Sequence, residues 1–292
     1  MARNYTKKLM RRFMIACSQF GHFPIDLFRQ ISMTDRLFSL QEDVESPLKI
    51  LVIVHAYWPR QFSVIVKYLN GIKMPLTIVV TIPEGNQVVE IEQLLQTISR
   101  NHRLIPIHVK NAGRDVGPFV QAINAFGSEK WDLVIKVHTK ASQNIWFESL
   151  LRSLLKNDRR IVRHVKLLKA YPKSVIVHPL FRYPGHKQPL NEPAMRKLRE
   201  LMESRNVSIG KKWFFPAGSM FTTTIEVLLD FVFHSENLGL NVFEDESLYS
   251  QSSTAHLLER FLGLNLSEKD SNFICTSILD YLDLKALFVK IS

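Results

Sequence analysis

Cysteine, acidic residues and long apolar runs are all scarce in this chain. Cys17 and Cys275 are the only cysteines in 292 residues. Lying so far apart, they can make neither a disulfide framework nor a Cys-based zinc site, and they indicate a reducing, cytoplasmic setting. No stretch approaches the ~18 consecutive apolar residues of a membrane-crossing helix. Neither composition bias nor a short period is visible, so collagenous, coiled-coil and low-complexity classes fall away. The sequence also lacks His-Glu-x-x-His, Gly-x-x-x-x-Gly-Lys-Thr and Gly-x-Ser-x-Gly, which argues against common metallohydrolase, P-loop and α/β-hydrolase chemistry.

What remains is the composition of a globular protein, 46% hydrophobic and 22% charged. Lys and Arg number 38 against 27 Asp and Glu, a formal charge of +11. Such an excess favours anionic partners: nucleotides, phosphosugars, lipid headgroups or nucleic acid. No RNA-recognition signature accompanies it, so nucleic acid is not expected. The first twenty residues carry Arg3, Lys7, Lys8, Arg11 and Arg12 and no acid. Phe13-Met-Ile-Ala-Cys17 is too short for the apolar core of a signal peptide. Two readings stay open there: a basic amphipathic segment resting on anionic lipid at the cytoplasmic membrane face, or a tail or helix belonging to the domain. A second basic run, Arg152, Lys156, Arg159, Arg160, Arg163, Lys166, Lys169 and Lys173, is broken only by Asp158. Its spacing of three and four fits one helical face, either solvated or facing an anion.

Residues 1–46 read as a basic N-terminal extension, closed by the acidic, Pro-containing Gln41–Pro47. Residues 47–268 read as one α/β domain and 269–292 as a C-terminal extension. The runs 49–57, 76–83, 105–110 and 131–140 predict strands, and the stretches 60–70, 88–99 and 116–126 predict helices between them. Continuous apolar strands rich in β-branched residues indicate a parallel sheet covered on both faces. The expected fold is therefore α/β, a mostly parallel doubly wound sheet with flanking helices. Further on, helices are predicted at 146–157, 159–170, near 191–204, 225–233 and 252–262, with a strand at 174–179. The stretch 214–224 reads as one strand with a glycine kink.

Ligands of such sheets bind outside the carboxyl ends of the strands. Three of these ends carry polar residues. The first offers His55, Tyr57 and Trp58. The third runs into Asn111-Ala-Gly113-Arg114-Asp115-Val-Gly117, a glycine-containing turn entering a helix. Backbone N–H groups there can hold an anion, with Arg114 as a forked donor. Asp115 either caps the helix or accepts from a sugar hydroxyl. The fourth end carries Lys136, His138 and Lys140, which alternate onto one face of the strand. Either they are exposed lysines beside a core histidine, or they are a cationic rim awaiting a diphosphate. Downstream, Gly218 and Ser219 set small residues between aromatic ones, letting a sugar ring approach the backbone. Glu244 and Asp245 offer a general base. His256, Glu259 and Arg260 share one helical side, as a packing network or as part of a site.

Five of these stretches occur in an order that resembles the rhamnan synthesis F family: Val54–Trp58, Asn111–Phe119, Lys136–Lys140, Phe215–Phe221 and Thr254–Arg260. The resemblance implies a glycosyltransferase of bacterial surface-polysaccharide or lipopolysaccharide assembly, hexosyl and specifically rhamnosyl. It also implies a GT-A-like fold. The donor would be a nucleotide-diphosphate sugar, dTDP-L-rhamnose by family analogy, and the acceptor a glycan. On that reading His138, Lys140 and Glu244 or Asp245 are catalytic. His55, Tyr57, Asn111, Gly113, Arg114, Asp115 and Lys136 hold the nucleotide, and Gly218, Ser219 and His256 meet the substrate. Where GT-A enzymes carry a metal-binding Asp-x-Asp, this strand ends in His138-Thr-Lys140, so no metal ligands are assigned. The family often has other residues at Thr222–Thr224 and at Ser252 and Ser253, which bears on acceptor choice and on activity. The contrasting expectation is an inactive sugar-binding or scaffolding member of an assembly complex.

Overall fold

The computed structural model describes residues 47–141, 145–178, 182–185, 193–204, 213–240, 242–243, 254–267 and 272–275. The basic extension lies outside them. Four βα units follow one another: β1 (Ile50–His55), α1 (Pro59–Asn70), β2 (Thr77–Pro83), α2 (Val88–Leu95), β3 (Arg103–Val109), α3 (Val116–Phe126) and β4 (Leu133–His138). Next come α4 (Ile145–Leu155), α5 (Asp158–Ala170), β5 (Ser174–Val177), β6 (Arg182–Pro184) and α6 (Pro193–Ser204). The described chain ends with β7 (Phe214–Pro216), β8 (Phe221–Thr223), α7 (Ile225–Asn237), α8 (Thr254–Ser267) and β9 (Asn272–Cys275).

Seven strands form the main sheet in the order β3-β2-β1-β4-β8-β5-β9. β1 to β4 pair in parallel, β5 and β9 pair in parallel, and β8 runs antiparallel to both β4 and β5. All strands but β8 therefore point the same way. The chain runs outward from β1 to β3 and then returns to β4 on the other side of β1. That reversal is a topological switch point, and a crevice opens there past the carboxyl ends of the strands. β1 and β4 are wholly buried along their length. Both of their faces are covered, which is why they read as unbroken apolar runs.

On one side, Leu51 and Ile53 of β1 join Val116, Phe119, Val120 and Ile123 of α3, Leu228 and Phe231 of α7, and Leu257, Leu258 and Phe261 of α8 in one core. α1 packs on α2 and α4. The second basic run is divided: Arg152 lies on α4, Arg159 to Lys169 on α5, and Lys156 and Lys173 outside both helices. Lys156, Arg159, Lys169 and Lys173 are exposed, but Arg160 is buried beside a fully buried His164. The run is therefore not one uniform charged stripe.

The stretch 214–224 departs from its expectation. It is two short strands in two sheets: β7 pairs with β6, whereas β8 enters the main sheet. Between them Gly218 (φ 79°) and Ser219 (φ 46°) adopt left-handed backbone and turn the chain. β9 is also unanticipated, since it lies past the boundary drawn at residue 268 yet pairs along β5.

Candidate functional site

The ends of β1 and β4 are tied together by one side chain. The Thr139 hydroxyl accepts the backbone N–H of Tyr57 at 2.9 Å and of Trp58 at 3.1 Å, and the Thr139 N–H donates to the His55 carbonyl at 3.0 Å. His55 and His138 face each other in register across the two strands. Thr81 donates to the Val54 carbonyl, so its oxygen accepts from His55 Nδ1–H at 3.1 Å. Burial pushes the His55 pKa down to about 4, overcoming the pull of Asp115, so the ring is neutral at pH 7.

α3 enters through a turn in which Gly113 (φ 72°) and Arg114 (φ 53°) are both left-handed. The glycines of this turn serve close packing. A Cβ on Gly113 would meet the Phe243 ring at 2.3 Å, and one on Gly117 would meet the Ala112 carbonyl at 2.6 Å. Asp115 stands at the head of α3 without capping it by its side chain. Its carboxylate turns instead toward β4 and the β7–β8 turn. One oxygen accepts from Lys136 Nζ at 2.5 Å and from the Ser219 hydroxyl at 2.6 Å, with His138 Nδ1 at 3.3 Å. Lys136 also donates to the Ser219 carbonyl at 2.8 Å and sits 5.2 Å over the Phe119 ring.

This overturns the picture of three equivalent cations at the strand end. Lys136 is 2% exposed and is spent on holding Asp115 and the 217–220 turn. Burial opposes ionisation of Asp115. The Lys136 ammonium and the bonds from Lys136 and Ser219 outweigh it and hold the carboxyl well below its usual range. Burial, with Lys136 and Lys140 adding to it, pushes the His138 pKa well down against the pull of Asp115, leaving a neutral ring. Lys140 differs. It is half-buried and, among the described residues, its ammonium makes no hydrogen bond or ion pair.

Helix α8 closes the other wall. Arg114 donates to His256 Nε2 at 3.0 Å, which puts the proton of that ring on Nδ1. Glu259 accepts the Gly218 N–H at 2.6 Å, and Arg260 lies 3.8 Å from its other oxygen. The cavity so formed measures about 630 Å³. Of the residues expected at a site, it brings together His55, Tyr57, Arg114, Asp115, His138, Lys140, Gly218, Ser219 and His256. Asn111, Gly113 and Lys136 do not line it. Glu244 and Asp245 lie outside the described residues, directly after the Phe243 that packs on Gly113. Thr222 and Thr223 are fully buried in β8 and touch no part of the cavity.

Trp58, Thr139 and Glu259 line the cavity without having been assigned a role from the sequence. For Glu259 a signal was available, its helical register with His256. Arg114 and Ser219, the positive-φ residues other than glycine among those described, both line it as well. Such strain persists where surrounding contacts enforce it, and it clusters at functional sites.

Among the described residues no three His, Cys, Asp or Glu side chains converge on a metal position. The Lys140 ammonium stands at the strand end to which the resemblance to GT-A enzymes would assign a metal-binding carboxylate. The fold and this crevice define an α/β protein with an anion-receptive cavity at the sheet's switch point.

The chain matches the rhamnan synthesis protein F family over residues 3–270, and it belongs to that family. The uncharacterized protein WxcX of Xanthomonas campestris pv. campestris is 26% identical over 226 residues, in each of two strains. That alignment covers 73% of this chain and 30% of the relative, so the chain spans about a third of the curated relatives it matches. Among solved structures, Staphylococcus aureus TarS residues 1–349 aligns with a TM-score of 0.40 at 13% identity, over 79% of this chain and 58% of that one.

Proposed function

We propose that the chain is a glycosyltransferase that moves a sugar from a nucleotide-diphosphate donor to a bacterial surface-polysaccharide or lipopolysaccharide acceptor, with L-rhamnose carried on dTDP as the donor. The observation that carries this reading is the cavity at the β1–β4 switch point, with Lys140 and Arg114 on its walls. Membership of a rhamnan synthesis family supports it. Negative charge builds on the leaving diphosphate as the glycosidic bond to it lengthens. Lys140 and Arg114 stabilise that charge, and neutral His138 and His55 offer uncharged hydrogen-bonding groups beside it. Tyr57 and the Gly218–Ser219 turn border the sugar, and a carboxylate deprotonates the acceptor, the part first expected of Glu244 or Asp245.

Lys140→Ala is expected to lower kcat about 10²–10³-fold, the usual cost of losing one preorganised donor to a developing anion. Acceptor KM should change far less, because the contact strengthens only in the transition state. Lys140→Arg should restore only part of the rate, since a planar fork replaces a compact ammonium. Steady-state kinetics on both folded variants test this. Wild-type turnover in Lys140→Ala would remove the cationic stabilisation from the mechanism. Nucleotide-sugar binding without transfer to any glycan would favour the inactive, scaffolding alternative.

The same reading places the protein at the cytoplasmic membrane face, with no transmembrane helix among the described residues. Basic side chains near an anionic bilayer contribute about 1 kcal/mol each. In liposome flotation, binding to anionic vesicles should weaken with salt and on deletion of residues 1–20. Equal binding to neutral vesicles argues against this placement.

A further inference from the structure

Two carboxylates among the described residues line the cavity, and they are not equivalent. Asp115 gathers the Lys136 ammonium, the Ser219 hydroxyl and His138 on one oxygen, Oδ2, so its charge is already matched by a buried cation and it is a weak base. Glu259 is anchored through one oxygen, Oε1, by the Gly218 N–H at 2.6 Å. Among the described residues its other oxygen, Oε2, has only the Arg260 guanidinium at 3.8 Å, beyond hydrogen-bond reach. Arg260 itself is directed elsewhere, donating to the His256 carbonyl at 3.1 Å and lying 5.4 Å over the Phe215 ring. Glu259 is thus held in position with one oxygen making no hydrogen bond among the described residues, in the cavity that Lys140 also lines.

From this geometry we infer that Glu259 is the general base that deprotonates the acceptor hydroxyl, in place of Glu244 or Asp245. The assignment rests on the glycosyltransferase reading above. In the step, Glu259 Oε2 takes the proton of a sugar hydroxyl while that oxygen forms a bond to the anomeric carbon. The bond from the anomeric carbon to the diphosphate breaks, and its electron pair leaves on the diphosphate toward Lys140 and Arg114. Glu259 then returns the proton to solvent.

The electrostatics suit the role. Burial raises the Glu259 pKa above its ordinary value and Asp115 at the head of α3 adds to the effect, while Arg260, the Gly218 N–H and Lys140 just past β4 oppose it. A carboxylate with a raised pKa is a stronger base than an exposed one. The other groups facing this wall are His256 on α8, Arg114 at the head of α3, and His55 and His138 at the strand ends.

The test uses the full chain with dTDP-L-rhamnose and UDP-glucose as donors and a p-nitrophenyl rhamnoside as acceptor. Glu259→Gln keeps an oxygen for the Gly218 N–H and removes the base. It should lower kcat about 10²–10⁴-fold and leave nucleotide-diphosphate affinity, read by calorimetry, unchanged. In the wild type kcat should rise with pH through the Glu259 pKa, and that acid limb should vanish in Glu259→Gln. Formate should restore turnover to Glu259→Ala, which a purely structural role would not allow. Should Glu259→Gln fold poorly, Glu259→Asp decides, with a reduced kcat and a displaced acid limb expected. A folded Glu259→Gln or Glu259→Asp protein with wild-type kcat and pH profile overturns the assignment and leaves the transferase reading intact. Loss of the acid limb in Glu244→Gln or Asp245→Asn instead would do the same. A wild-type protein that neither binds nor transfers from either donor overturns the reading beneath it, and this assignment with it.

Discussion

Replacing Lys136 by methionine should cost the fold about 3–5 kcal/mol, the usual penalty for removing one partner of a buried ion pair. Methionine nearly matches the lysine stem in volume, so cavity formation adds little. What is lost is the cation between Asp115 and the Ser219 carbonyl, 2.5 and 2.8 Å from Lys136 Nζ. The Asp115 side chain is only 18% exposed. Its charge would then be left to one hydroxyl and a neutral imidazole. For a chain of this size such a loss lowers Tm by roughly 6–20 °C. The double variant Lys136→Met/Asp115→Asn removes both charges and should recover most of the deficit, as expected for mutually dependent buried charges. Chemical denaturation of the two singles and the double closes the cycle. A Lys136→Met protein as stable as the wild type would mean that this lysine is not a buried structural cation.

Mild acid should unfold the chain well before its carboxylates are neutralised. His55, His102, His138, His164 and His178 all have pKa values pushed below 6.5, in each case chiefly by burial. His55 falls to about 4 and His178 to about 3. Between those values and 6.5 the unfolded chain binds protons that the folded chain refuses, so stability falls as pH falls through that window. For His55 alone the difference is about 3 kcal/mol, at 1.36 kcal/mol per pKa unit. Total stabilities of domains run to only about 5–15 kcal/mol, so a few such residues suffice. Asp115 works in the same direction but at lower pH, since its stabilisation is lost only as pH drops through its depressed value. Glu259 works in the opposite sense, because its folded pKa is raised. Tm should therefore drop steeply from pH 6.5 to 4, and calorimetry across that range would show it. His164→Leu should soften the drop, because among the described residues neither ring nitrogen of His164 has a hydrogen-bond partner. A flat Tm between pH 7 and 5 would mean that these rings can be protonated in place.

The parallel half of the sheet was legible because burial on both faces writes a plain signature. β1, β2 and β4 are nearly continuous apolar runs, and α3 begins within one turn of Pro118, where a missing N–H costs nothing. β6, β7, β8 and β9 are three or four residues long, too short for a period to show, and they exist because a neighbouring strand accepts them. The strand-end rule led to His55, His138 and Lys140, since switch-point geometry depends on topology alone. It could not tell Lys136 from Lys140. Their spacing puts both on one face, although Lys140 lies two residues past the end of β4, and only the tertiary position of Asp115 turns the first into a buried counter-ion. Glu259 was visible as part of a helical face, but the Gly218 N–H that orients it comes from a turn 41 residues away in sequence.

The placement of β8 between β4 and β5 has a consequence for biosynthesis. Until residues 221–223 leave the ribosome, the edge of β4 presents unpaired backbone donors and acceptors, and β5, some fifty residues earlier than β8, has no neighbour on that side. The opposite edge of β5 waits longer still, for residues 272–275. The β1–β4 half can assemble as it emerges, but nascent chains stalled between about residue 178 and residue 221 carry open sheet edges that invite pairing with other chains. Chaperone demand should accordingly peak over that interval of synthesis. Truncations ending before β8 should aggregate even though every wall of the cavity contributed by β1 and β4 is already present in them.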